Sequence, residues 1–201
     1  MTEEAAIDLA ETDLRAQLRS AQQNTDLDGL RRILAAHPEL EFIDDDADLL
    51  AILAVAHSYL QQTEQAARCL NDLDPEALSD AGARADYGLA LLLHGRTDAA
   101  DTVLAAVCER PDAEAAAHVR LGALKVTRNE LETAERAFQR ALELQPERAA
   151  WLSNLGGVKF RLGAYQEAIE YYDRAIALNP QLPQPRQMRA RALWSLDRVD
   201  E

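Results

Sequence analysis

The chain has 201 residues with 35 acidic and 21 basic side chains, so its formal net charge at neutral pH is −14. Hydrophobic residues make up 48% of the sequence, which is too apolar for an intrinsically disordered chain. The longest apolar run, at residues 49–56, is far shorter than the ~20 residues that a membrane-spanning helix requires. Because the negative charge repels nucleic acid and anionic lipid, neither is an expected partner.

Charge is unevenly distributed along the chain. Residues 1–80 carry 18 acidic and 5 basic side chains, whereas residues 81–201 carry 17 and 16. The acidic half is interpreted either as a solubilising surface or as a site for a basic partner. The first residues are acidic where a secretory signal is basic and then apolar, and two cysteines are too few for a disulfide framework. We therefore expect a cytoplasmic location.

Apolar residues at helical spacing predict a chain made of helices. In chain order, eleven helices are expected at residues 3–22, 27–37, 47–61, 64–73, 80–94, 97–109, 113–127, 130–144, 148–162, 165–178 and 184–196. The segment 39–46 is expected to be a loop. Because no linker rich in Pro, Gly or Ser interrupts the series, we expect a single domain.

These helices recur with a period of 34 residues. Gly88, Gly122 and Gly156 form one column, and Ala54 and Ala190 stand at the flanking places. Three further columns hold alanine, a large apolar residue and a second apolar residue: Ala66, Ala100, Ala134 and Ala168; Leu70, Leu104, Phe138 and Tyr172; Leu73, Val107, Ala141 and Ala175. A fixed period of this length predicts stacked helix pairs that bury their apolar faces against their neighbours.

The columns resemble the tetratricopeptide repeat, which has a small residue, two alanines, a large apolar residue and a proline at fixed places. Gly156, Ala168, Tyr172, Ala175 and Pro180 match these places in residues 149–182, and residues 115–148 match them equally well. The resemblance implies an all-α fold, a right-handed superhelical solenoid of antiparallel helix pairs.

The same resemblance divides residues 1–201 into repeats. It implies a degenerate repeat at 11–46, full repeats at 47–80, 81–114, 115–148 and 149–182, and a partial repeat or capping helix at 183–201. In the degenerate repeat the period places Arg32 in the alanine column. A shift of about two residues brings Leu27, Leu30 and Leu34 into register instead.

The sequence contains no recognisable catalytic or metal-ligating set. Asp44, Asp46 and Asp48 have the spacing that opens a calcium loop, but Leu49 and Val55 occupy the places that need Gly and Glu. We interpret these aspartates as the acidic first turn of a helix. The four histidines lie in different repeats, and no Ser/His/Asp or Cys/His set has a local signature. We therefore expect no enzyme activity, metal or cofactor in this segment.

In tetratricopeptide proteins, fixed positions of the first helix of each pair face a concave groove. Carried onto this chain, the resemblance implies a ligand-binding groove lined by Val55, Leu89, Val119, Arg120, Ala123, Asn154, Gly157, Phe160, Arg161 and Arg191. The N-terminal part of this set is small and apolar, whereas the arginines make the C-terminal part basic. The alternative interpretation is that the small residues only permit tight packing.

Two functions of different classes agree with this sequence. The favoured one is a non-enzymatic scaffold that binds a peptide or a helix of a partner protein, with the arginines selecting acidic side chains. The alternative is the N-terminal substrate-recruiting or regulatory arm of a larger enzyme of the sulfotransferase, glycosyltransferase or hydroxylase type.

The last predicted helix is the first half of a sixth pair. Met188, Leu193, Trp194 and Val199 are more apolar groups than one buried side of a terminal helix can hide. We therefore expect either that the protein continues past Glu201 or that this helix face forms a homodimer with a second copy.

Overall fold

A computed structural model describes residues 3–43 and 45–196, in which all regular structure is helical, and this confirms the all-α fold. The helices are α1 (Glu3–Gln23), α2 (Leu27–Ala36), α3 (Ala47–Tyr59), α4 (Thr63–Asp72), α5 (Ala81–Leu93), α6 (Thr97–Cys108), α7 (Ala115–Thr127), α8 (Leu131–Leu144), α9 (Ala149–Arg161), α10 (Tyr165–Leu178) and α11 (Pro183–Ser195). Short 3-10 helices lie at Pro38–Phe42, which overlaps the predicted loop, and at Pro75–Ala77. The predicted helices therefore agree with the observed ones, while Asp44 and Val199 lie outside the described residues.

The chain divides into two compact units, residues 1–103 and residues 104–201. In the first unit, α3 packs against α1, α4 and α5. In the second unit, α7 packs on α8 and α9 packs on α10, and α8 and α10 also pack on the first helix that follows each of them. Each of these two second helices is therefore shared between successive first helices, which is how stacked pairs bury a continuous core.

Each of the five turns inside a helix pair reverses the chain through one residue in the left-handed region. These residues are Thr25, Gln61, Gly95, Asn129 and Gly163, with φ between 54° and 79°. In the last turn, the amide of Gly163 donates to Phe160 O (3.1 Å) and the amide of Ala164 donates to Lys159 O (3.0 Å). The other four turns repeat this Schellman arrangement, which satisfies the final carbonyls of the first helix.

The spacing of these turn residues shows where the period changes. The left-handed residues from Gln61 onward follow one another at intervals of 34, whereas Thr25 precedes Gln61 by 36. The predicted two-residue shift is therefore present in the first pair. In agreement with it, Leu30 is fully buried, whereas Arg32 is exposed.

Two glycines of the small column face an aromatic ring of the second helix. A Cβ atom placed on Gly122 would lie 3.0 Å from Cε1 of Phe138, and one placed on Gly156 would lie 2.7 Å from Cε1 of Tyr172. Phe138 also packs with Leu155 and Val158 of α9. Its ring therefore fills both the space above the glycine of its own pair and the contact with the next pair.

Several acidic residues of the first unit stabilise helix starts. Asp26, Asp46 and Asp80 are N-caps whose carboxylates accept the amides of Gly29, Leu49 and Ala83. Such caps and the favourable helix dipole typically contribute ~1 kcal/mol each. Asp46 also forms an ion pair with Arg15 of α1. Part of the acidic character of residues 1–80 is therefore explained by local structure.

The glycine–ring contact can be tested by adding a single methyl group. Because the fully buried Tyr172 ring would have to shift to admit the methyl group, we expect Gly156→Ala to destabilise the fold by about 1–3 kcal/mol. Gly157→Ala is the matched control, since the nearest atom to its new methyl group is the Tyr172 hydroxyl at 3.9 Å. It should leave stability unchanged or raise it by up to ~1 kcal/mol. Urea unfolding followed by circular dichroism measures both, and equal midpoints would contradict the contact.

The left-handed turns give a second test. Thr25 is β-branched and has a φ of 54°, which glycine adopts without strain. We expect Thr25→Gly to stabilise the protein by about 1 kcal/mol. In contrast, Gly163→Ala should destabilise it by about 1 kcal/mol from the backbone alone, because its φ is 79° and no atom lies within 4 Å of the new methyl group. Thermal unfolding measures both variants. A lower melting temperature for Thr25→Gly than for Gly163→Ala would disprove this explanation.

Candidate functional site

The second unit brings eight of the ten predicted groove residues onto three first helices. Val119, Arg120 and Ala123 lie on α7, Asn154, Gly157, Phe160 and Arg161 on α9, and Arg191 on α11. Because α7 packs on α9 and α9 packs on α11, equivalent positions of these helices lie side by side. We call the surface that carries Arg120, Ala123, Asn154, Gly157 and Arg191 the first-helix face.

The members of this set differ in their access to solvent. Ala123, Arg161 and Arg191 are exposed, whereas Arg120, Asn154, Gly157 and Phe160 are half-buried. Val119 packs against the core cluster that contains Phe138 and Leu155. Val119 therefore contributes mainly to the interior of the unit.

Val55 and Leu89 lie in the first unit, where the corresponding surface is closed. Val55 has no exposed surface, and it lies on α3 among residues that are buried on every side. Leu89 on α5 is half-buried. Because α1 and α5 both pack on α3, a ligand could reach Val55 only if these helices moved apart.

An ion pair that the sequence did not predict joins α1 to α5. Arg19 Nε donates to Asp86 Oδ2 at 2.8 Å, and the Asp86 side chain is only 3% exposed. Gln22 Nε2 adds a hydrogen bond to the carbonyl of Ile52 at 2.8 Å. A buried carboxylate requires such partners, so these contacts hold α1 in place. The one signal in the sequence was an aspartate inside an otherwise apolar stretch of α5.

Arg161 is engaged with the preceding helix pair. Its guanidinium donates to the carbonyl of Val126 at 2.9 Å and to Oδ1 of Asn129 at 2.7 Å. Asn129 is the left-handed residue of the turn between α7 and α8. A cation at this place satisfies the Val126 carbonyl at the end of α7, so Arg161 stabilises the turn.

Arg191 presents its charge beside an aromatic ring. Its guanidinium carbon lies 6.0 Å from the centroid of Phe160, a distance at which a cation is attracted to the ring face. Phe160 is itself held edge-to-face by Tyr165, with ring centroids 5.3 Å apart. Arg191 therefore packs beside the Phe160 ring while staying exposed to solvent.

Two buried hydroxyl groups lie beneath this face. Tyr172 is fully buried, Ser153 is 4% exposed, and neither hydroxyl has a hydrogen-bond partner within the described ranges. Burial raises the pKa of Tyr172 to about 12, and the charge of Arg191 opposes that shift. A Cβ on Gly157 would lie 3.9 Å from the Tyr172 hydroxyl, which is an ordinary contact distance. Packing therefore does not require glycine at this position.

Three further groups have pKa values that their surroundings shift. Lys159 donates to Glu135 at 2.8 Å and to Glu167 at 2.6 Å, and these contacts raise its pKa. Burial raises the pKa of Cys69 and of Cys108 to about 11, which disfavours the reactive thiolate. Among the described residues, no group of three His, Cys, Asp or Glu side chains could hold a metal ion.

A further property concerns membranes. None of the described helices is both long enough and apolar enough to cross a lipid bilayer.

Comparison with known sequences identifies the repeat. Residues 119–183 match the tetratricopeptide repeat family. The chain is also 27% identical over 141 residues to a protein of Eremothecium gossypii named peroxisomal targeting signal receptor. The match covers 69% of this chain but only 23% of that protein, so the chain spans about a quarter of the length of this relative.

Solved structures with the same fold are more distant in sequence. MamA is 20% identical with a TM-score of 0.65, and the match covers 77% of this chain and 84% of MamA. PilF of Pseudomonas aeruginosa is 18% identical with a TM-score of 0.68, covering 96% and 87%. PilW, a type IV pilus biogenesis factor, is 16% identical with a TM-score of 0.68, covering 95% and 88%. At these identities the likeness shows the fold alone.

The buried Tyr172 hydroxyl leads to a pH-dependent prediction. Its pKa of about 12 in the folded state exceeds the ordinary value of 10, so the folded state holds this proton more tightly. The resulting stability is fully present below pH 10 and is lost as the pH rises from 10 to 12. Urea unfolding at pH 8 and above pH 10 measures how far the free energy of unfolding falls with pH. We expect this fall to be smaller by roughly 2 kcal/mol in Tyr172→Phe than in the wild type. Tyr171→Phe is the control, and identical behaviour of both variants would contradict the prediction.

Proposed function

Because the chain is a tetratricopeptide repeat protein, we propose that its second unit binds an acidic peptide segment of a partner protein along the first-helix face. The repeat fold and the receptor relative support the broader role of a protein-interaction scaffold. The observation that carries the specific proposal is Arg191, an exposed cation seated 6.0 Å from the Phe160 ring. Acidic side chains pair well with a guanidinium held in one orientation.

The neighbours of Arg191 suit an extended segment. Ala123 and Gly157 stand at the places equivalent to Arg191 in the two preceding repeats, and their small side chains let a peptide backbone approach α7 and α9. Asn154 has a partly exposed amide one turn before Gly157, and an amide can both donate to and accept from a backbone. Arg120, at the place equivalent to Asn154, adds positive charge to the same surface.

In this proposal the first unit does not bind the peptide. Its first helices are closed together around α3, and Val55 offers no surface. The ligand-binding part of the predicted groove is therefore confined to α7, α9 and α11. That this segment is an arm of a larger enzyme, and that it is cytoplasmic, both stay predictions.

A second candidate function is self-association through α11. Trp194 on this helix is 72% exposed, more than any other large hydrophobic side chain in the described part of the chain. An exposed aromatic of this size is typical of a protein contact. Sedimentation across a range of protein concentrations tests whether a second copy binds.

Peptide binding is tested with Arg191→Ala. The probes are short fluorescent peptides, and binding is measured by anisotropy titration. All peptides share one pattern of apolar residues, and the residues between them are acidic, neutral or basic. We expect the acidic series to bind best, and Arg191→Ala to weaken it about tenfold and to flatten its salt dependence. Arg174→Ala is the matched control, because Arg174 is an exposed cation stacked on Tyr171 of α10.

A second variant, Arg161→Ala, separates an effect on the fold from an effect on the ligand contact. Arg161→Ala should weaken binding together with thermal stability, since its guanidinium holds the turn at Asn129. Unchanged affinity of Arg191→Ala, or equal binding of acidic and basic peptides, would disprove the proposed site.

A further inference from the structure

Helix α11 has one covered side and one open side. Ala192 is fully buried and Leu193 is 4% exposed, and both belong to a cluster with Ile169 of α10. On the other side, Trp194 is 72% exposed, and Ala190, one turn earlier, is exposed as well. The helix therefore presents a small residue and a large aromatic residue together to solvent.

The preceding repeat shows what normally covers these two positions. Ala190 is equivalent to Gly156, and Trp194 is equivalent to Phe160. On α9 both positions are covered by α10, through Tyr172 on Gly156 and through Tyr165 edge-to-face on Phe160. Within the described ranges, no residue does the same for α11. The equivalent side of α9 is covered by another helix, whereas this side of α11 is exposed.

Charge restricts what can cover α11. The helix contains Arg186, Arg189 and Arg191 and no acidic residue. Two copies of α11 packed on each other by two-fold symmetry would bring like charges together, which opposes association. An acidic partner surface is favoured instead. Residues 1–80, with 18 acidic and 5 basic side chains, supply such a surface in every copy of the chain.

The first unit contains an acceptor of matching chemistry. A cleft of about 710 Å³ lies between α1 and α2. Ala16, Ile33 and Ala36 give it an apolar lining, and the exposed carboxylates of Asp13 and Asp26 also line it. The cleft also contains Arg32 and His37, so its negative charge is concentrated on the side of α1 and of the turn that follows.

We infer that the protein self-associates by a heterologous contact, in which α11 of one copy places Trp194 in the α1–α2 cleft of a second copy. Asp13 and Asp26 then face Arg186 and Arg191 of α11, whereas Arg189 is paired with Asp173 of α10. This inference rests on the proposed self-association and specifies its geometry. Because each copy carries one donor and one acceptor surface, the contact does not require a two-fold axis.

Sedimentation equilibrium of the full chain over increasing protein concentration is the first experiment. We expect the average mass to rise with concentration at low salt and to fall back at high salt, since the contact pairs opposite charges. Trp194→Ala should weaken self-association roughly tenfold or more. Leu144→Ala is the matched control, because Leu144 is an exposed leucine, 41% accessible, on α8.

Complementation of two variants tests the heterologous geometry directly. Asp13→Lys disables the acceptor and Trp194→Ala disables the donor, so each variant alone should be monomeric. An equimolar mixture should form a one-to-one complex, because each variant retains the surface that the other lacks. Melting temperatures close to that of the wild type show that both variants fold, as expected for an exposed Asp13 whose hydrogen bond is to Gln17.

The outcomes separate the two levels of the proposal. A wild-type chain that stays monomeric at every concentration and salt would overturn self-association as a whole. A wild-type chain that associates while Asp13→Lys also associates would overturn only the cleft as acceptor. Loss of association in both variants without recovery in the mixture would likewise reject the heterologous contact.

Discussion

The contact between an aromatic ring of the second helix and a glycine of the first is the constraint on which the helix pairs of the second unit depend. The ring atoms of Phe138 and Tyr172 stand where a Cβ of Gly122 or Gly156 would otherwise lie. Protein interiors are packed as densely as organic crystals, so such a contact fixes the separation and rotation of two helices closely. The same ring then reaches the next first helix, as Phe138 does with Leu155. One contact therefore determines both the pair and its stacking.

The left-handed turns convert that contact into a repeated geometry. Each pair ends its first helix with the same two hydrogen bonds and one residue of positive φ, from Thr25 to Gly163. Because the turn has the same form each time, equivalent residues of successive first helices face the same way. This is the physical reason that Gly157 and Arg191, far apart in sequence, belong to one surface.

The two units use their first helices differently. In the first unit α3 is buried on every side, and Arg19 reaches Asp86, so the helices close upon each other. In the second unit small residues at Ala123 and Gly157 leave the face open, while Arg161 is bound to a turn and Arg191 is held by Phe160. Of two arginines with the same predicted role, Arg161 donates to a turn of the fold, whereas Arg191 stays exposed to solvent.

The sequence alone determined the helices, their period and the all-α fold, because apolar spacing and small-residue columns are local patterns that repeat along the chain. Only the tertiary structure decided which predicted groove residues are exposed to solvent. Val55 is fully buried because other helices of the first unit pack around α3. Arg161 donates to the carbonyl of Val126, which lies 35 residues earlier in the chain. Solvent access and hydrogen-bond partners depend on which distant segments come together, and no local pattern specifies that.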